Sequence, residues 1–585
     1  MKWRNWILRR LIDFTFPQIR VLQAIKKYLN RLNTFLDLYE KVEKLRNMKL
    51  QRPHKIAIGS IVGFLFIVIF GWVVFPRLIK SQIKNMLALK QGNEIRDMYV
   101  KVPFPLTFKV YMFNVTNPLE ISEKGAMPIV QEIGPYIYDE WKEKVDTVDD
   151  ESDDTMEYRI KNTFIFNRAQ SGSLTGDEVI TMLHPLIAGI AMAVEREKPG
   201  ALALVNKALT SIYRNPTHPF LTTTVDALLF SGVDIACNVT DFAGKAVCTQ
   251  LRNEAKDLIE IEPGIFRFSL FGPKNGTIGQ KVKVKRGVQN IMDLGQVVEF
   301  EGKPKLDMWG SEECNTYGGT DSTIFPPFLK EEDGLVSFAP DICRRLPAYY
   351  VENTKYDGIS VRRYSADFGD QSKVKAEKCY CPSEDFCYKK GIHDMYKCVG
   401  APFVASLPHF YLSDESYQKG VRGLNPTKDK HEIIILFESL TGSPVFAKKR
   451  MQFSLPIHAI PKVTTMANMP DVMMPLFWVE EGVELNRTWT GQLRTLFTTL
   501  KVVKVTKWLV LLGTLGGMGG AGYMMYQLQQ QSVTITPVHT VNPNDLKNGK
   551  NNTISMVAQN GNNIRNGTSV GHVNRAMSTN EIDKY

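Results

Sequence analysis

The sequence predicts an α+β membrane protein with a large, mainly antiparallel β external domain, an inserted pair of helices and two transmembrane helices as its anchor. Three observations lead to this fold class. Two long apolar runs without charged residues lie towards the ends of the 585-residue chain. Many short segments between them alternate apolar and polar residues, which is typical of strands with one buried face. All eight cysteines also lie between the two runs.

The two apolar runs, residues 56–75 and 508–526, are predicted transmembrane helices. The first has twenty residues without a charge, which as a helix rise about 30 Å and match a bilayer core. A buried core helix is the alternative for each run, but uncharged apolar runs of this length are rare in soluble domains. Pro-Arg-Leu-Ile-Lys follows the first run where a signal peptide would have a small-residue cleavage site, so we do not expect a cleaved signal.

Basic residues predict the orientation of the two spans. Residues 1–55 contain 14 Lys or Arg and 4 Asp or Glu, whereas residues 527–585 contain 5 and 3. Cytoplasmic flanks are enriched in Lys and Arg, so the N-terminus is predicted to be cytoplasmic. Two spans then return the C-terminus to the cytoplasm and place residues 76–507 outside the cell as one large loop. The expected location is the plasma membrane.

The two cytoplasmic segments have different predicted characters. Residues 1–55 mix basic and apolar residues, which fits a basic amphipathic helix on the anionic inner leaflet or an ordinary N-terminal extension. The tail, residues 527–585, is poor in apolar residues and rich in asparagine, so it is predicted to be disordered.

The glycines of the second span are predicted to serve helix packing. The stretch Gly517 to Gly522 matches the GxGxxG pattern of dinucleotide-binding sites, but it lies inside a predicted membrane helix without a strand–turn–helix unit. Glycines four residues apart let two membrane helices approach closely, and the run has two such pairs, 513 with 517 and 516 with 520. Packing against another membrane helix is therefore the preferred interpretation.

The external segment, residues 76–507, is predicted to form one mainly antiparallel domain, a barrel or a sandwich. Alternation of apolar and polar residues predicts strands at 106–116, 265–271 and 281–285. Residues 431–455 are predicted to form a hairpin that turns at a Thr-Gly-Ser-Pro sequence. No linker rich in Gly, Ser or Pro and no internal repeat divides the segment.

Two helices are predicted to interrupt these strands. Thr175 to Glu178 has the pattern of a capping box, which predicts a helix from there to Val194. Residues 201–213 predict a second helix. Both helices are apolar around much of their circumference. Packing in a core explains this pattern, and an exposed apolar docking surface is the alternative.

The cysteines are predicted to form disulfides. They occur at positions 237, 248, 314, 343, 379, 381, 387 and 398, all outside the predicted spans and the cytoplasmic segments. An even number of cysteines in an oxidising compartment indicates disulfide bonds. A zinc site through Cys379, Cys381 and His393 and a redox pair are the alternatives, but no second element of an oxidoreductase is recognisable.

Glycosylation is predicted at the sequons of the external segment. Four N-x-S/T sequons fall there, at Asn114, Asn238, Asn275 and Asn486. Two more, at Asn551 and Asn566, lie in the predicted cytoplasmic tail and would stay unmodified. A chain of this length contains several sequons by chance, so they support the predicted topology only modestly.

No catalytic or cofactor-binding motif is recognisable, so we predict a protein that is not an enzyme and has no cofactor and no bound metal. No GxSxG, HExxH, Walker or kinase signature occurs. The acidic run 146–157 lacks the ligand spacing of an EF-hand loop and is predicted to be a solvated hairpin tip. The external segment has 53 basic and 54 acidic residues, so nucleic acid is not an expected partner.

Several stretches resemble the class B scavenger receptor family over about residues 55–525. They are "GWVVFPRLIKSQI", "EIGPYIYDEWKEKV", "RFSLFGPKNGT", "CNTYGGTDSTIFPPF" and "APDICRRLPAYY", in the order of the family. Within that family, "PYIYDEWKEKV", "SLTGDEVITMLHP", "KRGVQNIMDLGQVV" and "MPLFWVEEGVELN" are most similar to the insect sensory neuron membrane proteins. The long basic N-terminus departs from the family, so no family role transfers to it.

The resemblance implies a fold and a set of disulfides. The fold is an antiparallel β-barrel ectodomain with an apical helical bundle and an internal lipid tunnel towards the membrane. The pairings are Cys314 with Cys379, Cys343 with Cys398 and Cys381 with Cys387, which spacing alone does not determine because six cysteines allow fifteen connectivities. Cys237 and Cys248 are then inferred to pair with each other.

The resemblance also implies an apical ligand contact. Alignment of "FLTTTVDALLF" with its family counterpart places Arg214 at the position of an apical lysine that serves anionic lipids. An arginine keeps the charge and adds a planar fork suited to carboxylates. A solvated loop arginine is the alternative. Lys207 and Lys198 are further candidates.

The function that these features predict is that of a non-enzymatic lipid receptor in the dendrites of chemosensory neurons. It would capture hydrophobic, fatty-acid-derived odorants or pheromones. A soluble odorant-carrier protein is one expected source of these ligands. It would then pass them through the tunnel to the membrane or to an odorant receptor complex. A general scavenger receptor for lipids or lipoprotein and an adhesion or docking receptor without ligand flux are the alternatives.

Overall fold

The computed structural model describes residues 52–255 and 258–531. The predicted N-terminal extension, residues 1–55, and the predicted tail, residues 527–585, lie almost entirely outside the described residues. The predictions for their structure and location therefore stay predictions.

The chain divides into two compact units. One is Leu78–Leu500, which covers most of the predicted external segment and is called the external unit below. The other combines the described residues up to Arg77 with those from Lys501 and contains both predicted membrane spans.

Helices lie at both ends of the described chain and in short insertions between the strands. The helices of seven residues or more are α1 Arg52–Leu87, which includes a π-helical turn at Phe70–Val74, α2 Glu94–Val100, α3 Pro118–Lys124, α4 Pro185–Glu197, α5 Leu202–Ile212, α6 Phe242–Glu254 and α7 Arg487–Gln531. Short helices of four or five residues are Glu312–Asn315, Tyr396–Val399, Glu415–Lys419 and Lys428–His431.

The strands belong to the external unit. They are β1 Leu106–Val115, β2 Val130–Asp150, β3 Thr155–Phe166, β4 Val179–Leu183, β5 Phe220–Thr224, β6 Val233–Ala236, β7 Ile259–Glu262, β8 Ile265–Phe268, β9 Ile278–Lys285, β10 Val297–Phe300, β11 Leu335–Ala339, β12 Arg344–Tyr356, β13 Ile359–Ser365, β14 His393–Asp394, β15 Val404–Ser406, β16 Ile434–Glu438, β17 Ser443–Ile457 and β18 Val472–Glu484. The predicted strands at 106–116 and 281–285 are confirmed as β1 and β9, and the predicted hairpin is β16–β17. The predicted strand at 265–271 is confirmed only as far as Phe268, where β8 ends.

The main sheet is a nearly closed antiparallel barrel. Its strands follow the order β10-β9-β3-β2-β1-β18-β17-β16-β13-β12-β11, and β14 and β15 attach to β17. The chain around Thr320 joins the two edge strands: Val297 N donates to Gly319 O at 2.9 Å, and Phe338 N donates to Thr320 O at 2.8 Å. Closure satisfies the edge groups that an open sheet would leave unpaired. The structure therefore selects the barrel over the sandwich.

One face of the central strands forms the barrel interior. Phe108 on β1 lies opposite Tyr138 on β2 and Glu481 on β18, so these three side chains share that face. Trp478, three residues before Glu481, points to the opposite face. There the ring of His431 covers it at 5.7 Å between centroids.

The predicted start of the first helix, at Thr175, is wrong. The Glu178 carboxylate accepts hydrogen bonds from the backbone N–H groups of Thr175 and Gly176, both at 2.9 Å, so the capping-box residues close a turn on themselves. Val179–Leu183 then forms β4, because β5 offers it a complete antiparallel ladder. Helix α4 begins only at Pro185. It runs to Glu197, three residues past the predicted end at Val194, and α5 matches the prediction within one residue at each end.

The apolar surfaces of α4 and α5 are buried, in agreement with the core-packing interpretation. The buried side chains are Ile187, Ala188, Ala191 and Met192 on α4 and Leu202, Val205, Ala208, Leu209 and Ile212 on α5. Helix α6 packs against α5 around a small core that includes Ile235 and Phe266. Helix α5 thus packs against both α4 and α6, and buried residues of α4 and α5 join the core of the barrel strands; the three are called the end helices below.

In the other unit, α1 is the one helix of the described chain that is long and apolar enough to cross a membrane. Its most apolar 18 residues have a mean hydropathy of 2.6, and the predicted span 56–75 lies within it. The predicted second span, 508–526, lies inside α7, but its six glycines lower its mean hydropathy. Helix α7 is therefore less apolar than α1 and does not qualify as a membrane-crossing helix by composition. The second span therefore stays a prediction.

The glycine-packing prediction holds at one of its four positions. A Cβ at Gly517 would collide with the hydroxyl of Ser60 on α1. Cβ atoms at Gly513, Gly516 and Gly520 would meet no described atom within 4 Å apart from their own helix backbone. Close approach of α1 and α7 at this level thus requires glycine only at position 517.

Candidate functional site

Four disulfides brace the external unit. Their pairs are Cys237–Cys248, Cys314–Cys379, Cys343–Cys398 and Cys381–Cys387, which are the pairings implied by the resemblance together with the inferred fourth. The alternative zinc site fails, because Cys379 and Cys381 have no free thiol. The ring of His393 is buried, and its Nε2 lies 3.0 Å from the carbonyl oxygen of Ile342, to which it donates.

The predicted apical cations lie on the end helices or beside them. Lys207 is on α5, Lys198 follows the last residue of α4, and Arg214 lies in the turn after α5 with a left-handed φ of 56°. All three side chains are exposed, and within the described residues none of them forms an ion pair. The structure places all three on or beside α4 and α5, and none of them lines the cleft described below. Their role in ligand contact stays a prediction.

The four predicted glycosylation sites differ in their surroundings. Asn238 and Asn486 are exposed. Asn114 and Asn275 are half-buried, and their side-chain carbonyls accept backbone hydrogen bonds from Thr181 and Phe164, both at 2.8 Å. A glycan needs free space around the amide nitrogen, so the exposed pair is the more favourable of the two. Glycosylation itself stays a prediction.

Seven aromatic rings pack together inside the barrel. This aromatic layer consists of Phe108, Tyr138, Phe164, Phe230, Phe271, Phe453 and Phe477, with neighbouring ring centroids 4.7–6.1 Å apart. Phe164, Phe230, Phe271 and Phe453 keep part of their surface accessible. Because they face inwards, the accessible surface indicates open space beside the rings. Such a surface suits an apolar chain.

A charged layer follows directly along the same interior face. It consists of Glu140 and Lys142 on β2, Lys449 on β17 and Glu481 on β18. Lys142 Nζ lies 2.8 Å from a Glu481 oxygen and 3.4 Å from a Glu140 oxygen. The side chains of Lys142 and Glu481 are 25% and 26% exposed although they face inwards, so the interior holds open space at this level too.

The carboxylates of the charged layer have opposite pKa shifts. Burial raises the pKa of Glu140 to about 7, and Lys142 only partly opposes this effect. Burial also raises the pKa of Glu481, but Lys142 and Lys449 outweigh it and hold that pKa below its ordinary value. Glu481 therefore stays ionised at neutral pH, whereas Glu140 gains or loses its proton near pH 7.

A second buried ion pair lies where the barrel closes. Asp321 accepts hydrogen bonds through Oδ2 from the hydroxyl groups of Tyr99 at 2.6 Å and Tyr158 at 2.8 Å, and Lys144 Nζ lies 2.9 Å from the same oxygen. Burial lowers the pKa of Lys144 to about 8, although Asp321 opposes this effect. Asp321 belongs to the "GGTDST" stretch, so this stretch serves the closure of the barrel.

The acidic run 146–157 forms a hairpin tip, as predicted, but part of it is buried. Asp149 lies 2.8 Å from the Arg96 guanidinium and 3.4 Å from that of Arg286, and Asp154 pairs with Arg286 at 3.3 Å. Both carboxylates are less than a tenth exposed. The description of this run as solvated is therefore corrected for these two residues, because two arginines from distant segments cover them.

A cleft of about 580 Å³ opens on the outer surface of the external unit. It lies between the last turn of α4, the chain at Phe386–Lys389, the short helix Glu415–Lys419 and the start of β18. Its wall combines apolar side chains such as Met192 and Met473 with ion pairs. Arg196 pairs with Asp394 across 3.2 Å. The predicted cations 198, 207 and 214 do not line it.

Among the described residues, Glu132, His409 and His431 form a group whose ligand atoms all lie within 4.8 Å of one another. Their hydrogen bonds do not suit a metal. The backbone N–H of Asn425 donates to His409 Nδ1 at 3.0 Å, and that of Thr427 donates to His431 Nδ1 at 2.9 Å. A neutral imidazole whose Nδ1 accepts a hydrogen bond carries its proton on Nε2, the atom that would have to bind the metal.

Hydrogen bonds hold the Glu132 carboxylate of this group in place. His409 Nε2 donates to Glu132 Oε2 at 2.5 Å, and Trp478 Nε1 donates to the same oxygen at 2.7 Å. Burial raises the pKa of Glu132, but these two donors outweigh it and lower the pKa. These contacts tie β2 and β18 to the chain segment that carries His409, and His431 stacks on His409 and Trp478 beside them, so the role of the group is structural.

Sequence reasoning did not find the charged layer. Residues 136–145 carry charges on both faces of β2, so alternation cannot tell which face is interior. The available signal was the spacing of Glu140, Lys142 and Lys144 by two residues, which places three charges on one face of a strand.

Comparison with known proteins agrees with this architecture. The model of the CD36 family matches residues 58–525. The chain is 44% identical over 455 residues to sensory neuron membrane protein 1 of Apis mellifera, which covers 77% of this chain and 87% of that protein. It is 45% identical to the protein of that name from Plutella xylostella and 46% identical to the one from Ostrinia furnacalis, each over 460 residues, 78% of this chain and 87% of the relative. The predicted resemblance is thus confirmed, and the chain is a membrane protein that belongs to the CD36 family.

Proposed function

We propose that the protein is a non-enzymatic receptor that captures hydrophobic, fatty-acid-derived odorants or pheromones at the surface of chemosensory neurons. In this proposal the end helices receive the ligand, and the barrel interior passes it towards the membrane or an odorant receptor complex. The cell type rests on the name shared by the relatives, sensory neuron membrane protein 1. The dendritic membrane, a soluble carrier protein and the receptor complex are parts of the same proposal.

The aromatic layer is the observation that carries this proposal. Its rings offer an apolar interior surface with accessible space, and the charged layer follows it along the same face. Transfer of an apolar chain from water to such a surface is favourable by about 0.8 kcal/mol per CH₂ group. Long-chain ligands therefore gain most from the barrel interior.

The exposed cations support a role of the end helices in ligand capture. Arg214, Lys207 and Lys198 present positive charge to solvent without a described ion-pair partner, so an anionic ligand or a carrier with an acidic surface would not have to displace an internal partner. The charge of exposed groups acts mainly on the rate of encounter, so we expect its effect to weaken with added salt.

The proposal is tested by ligand binding to the full-length protein in lipid nanodiscs, with a fluorescent long-chain ester as the probe. Val479 on β18 is half-buried and faces the interior beside Phe477 and Met451. Val479→Trp should fill the space next to the aromatic layer and abolish saturable binding. The matched control is Val148→Trp, since Val148 is 61% exposed on the hairpin and the same substitution there leaves the interior unchanged.

The outcomes separate the candidate functions. Saturable binding that Val479→Trp removes and Val148→Trp preserves supports a ligand-binding interior. Absence of binding to folded, disulfide-bonded wild-type protein contradicts the proposal and favours an adhesion or docking receptor. Expression in haemocytes or gut instead of antennal neurons would favour a general scavenger receptor for lipids or lipoprotein.

A further inference from the structure

Two acceptor oxygens on the interior face have no hydrogen-bond donor. Glu140 Oε2 and Asn162 Oδ1 are buried, and neither accepts a hydrogen bond from any residue in the described part of the chain. In the pairing of β2 with β3, Glu140 lies opposite Phe164 and Asn162 lies opposite Lys142, so the Glu140 and Asn162 side chains are diagonal neighbours on one face. Buried polar atoms without a partner are rare, because each one loses its hydrogen bonds to water without replacement.

The surroundings of these oxygens favour a hydrogen-bond donor over an anion. Glu140 is 2% exposed, and Glu481 places a second carboxylate beside the same Lys142. That ammonium is shared between the two carboxylates. Lys449 lies opposite Glu481 on the interior face and has no ion pair within the described residues. A group that donates one hydrogen bond and accepts another would fit both the oxygens and Lys449.

We propose that the charged layer and Asn162 bind the hydroxyl end of a long-chain primary alcohol, whose apolar chain lies along the aromatic layer. The hydroxyl hydrogen is donated to Glu140 Oε2 or Asn162 Oδ1, and the hydroxyl oxygen accepts from Lys449. This inference rests on the proposed function, because it requires the barrel interior to admit a long-chain ligand.

The chemistry of related ligands sets the expected selectivity. An ether or ester of the same length has acceptors only, so it leaves both oxygens without a donor. A carboxylate also lacks a donor and adds a negative charge beside Glu481. A pure hydrocarbon gains the aromatic layer but nothing from the charged layer. The alcohol is therefore preferred over chains that are otherwise equal.

The test compares 1-hexadecanol with 1-methoxyhexadecane and palmitate as competitors of the fluorescent ester, on full-length protein in nanodiscs at pH 8, where the Glu140 carboxylate is ionised and can only accept hydrogen bonds. We expect the wild type to bind the alcohol roughly 10-fold more tightly than the ether, the value of about one well-made hydrogen bond to a charged group. Glu140→Met and Asn162→Leu each remove one acceptor while keeping the size of the side chain. Each should reduce the preference for the alcohol and leave the affinity of the ether unchanged.

Glu143→Met is the matched control, because Glu143 lies on the same strand but points to the opposite face, where it pairs with Lys101 at 2.7 Å. It should keep the full preference for the alcohol. Equal affinity of the wild type for alcohol and ether would overturn the inference, since water would then satisfy both oxygens. A preference for palmitate that Lys449→Met abolishes would also overturn it and make the layer an anion site. Failure of all three chains to compete would instead contradict the proposed function and this inference with it.

Discussion

Asp321 is the residue whose replacement tests the account of barrel closure most directly. Its carboxylate accepts two tyrosine hydrogen bonds and pairs with Lys144, all within 2.6–2.9 Å, and its backbone N–H donates to Gly295 O at 3.0 Å. Asp321→Asn keeps the size of the side chain but removes the charge. We expect this variant to lower the stability of the external unit, because the ammonium of Lys144 loses its partner in a buried position.

The size of the effect follows from the burial of the pair. The side chains of Lys144 and Asp321 are 11% and 7% exposed, so solvent screens the pair little. Removal of one partner from such a pair costs about 3–5 kcal/mol. A folded unit of roughly 420 residues has an unfolding entropy of about 0.9 kcal/mol/K. The expected fall in Tm is therefore about 3–6 °C.

The assay is thermal unfolding of the full-length protein in nanodiscs, followed by tryptophan fluorescence at pH 7. Asp307→Asn is the matched control, because it breaks the Lys303–Asp307 pair, whose side chains are 57% and 67% exposed. We expect a change below about 1 kcal/mol there. The double variant Lys144→Met/Asp321→Asn removes both charges and should recover part of the loss.

Two results would refute the reasoning about this pair. One is a Tm for Asp321→Asn that matches the Tm of the exposed control. The other is a double variant whose loss of stability equals the sum of the losses of Asp321→Asn and Lys144→Met measured separately. Additive losses would mean that the two charges are not coupled.

Three further predictions concern other parts of the external unit. The pKa of Glu140 is raised in the folded state to about 7, so the folded protein binds more protons between about pH 4.5 and 7 and its stability falls as pH rises through that window, by at most about 3 kcal/mol. Glu140→Gln should flatten this dependence in thermal unfolding at pH 5 and 8, and an unchanged slope would assign it to another group. Arg214→Glu should slow the capture of anionic ligands in stopped-flow binding at low salt without a change in Tm, and an unchanged rate would exclude its proposed role. Cys237→Ser with Cys248→Ser should destabilise α6 locally by about 3 kcal/mol, seen as faster hydrogen exchange there, while exchange in β1 stays the same.

The strands were predictable where one face is buried and the other polar. In β1 the apolar side chains Phe108, Val110 and Met112 alternate with Lys109 and Tyr111, and all three are buried in the structure. The failure at Thr175 to Glu178 has a local cause. A carboxylate three residues after a threonine can cap a helix or close a turn, and only the pairing of β4 with β5 decides between them.

The interior site was not predictable for a different reason. On β2 both faces carry charged residues, so the pattern does not say that Glu140 and Lys142 point inwards. Their burial depends on partners more than 300 residues away, such as Glu481. Asp321 likewise depends on partners distant in sequence, Tyr99 on α2 and Lys144 on β2.

The sequence by itself determined the family, the apolar first span, the strand-rich external unit and the oxidised cysteines, because these depend on composition, on local alternation and on motifs that can be read along the chain. Only the tertiary structure decided that the sheet closes into a barrel and that an aromatic layer and a charged layer follow one another inside it. It also decided which buried oxygens lack a donor. Such features arise from contacts between segments distant in sequence, and no local pattern of residues specifies which of those segments meet.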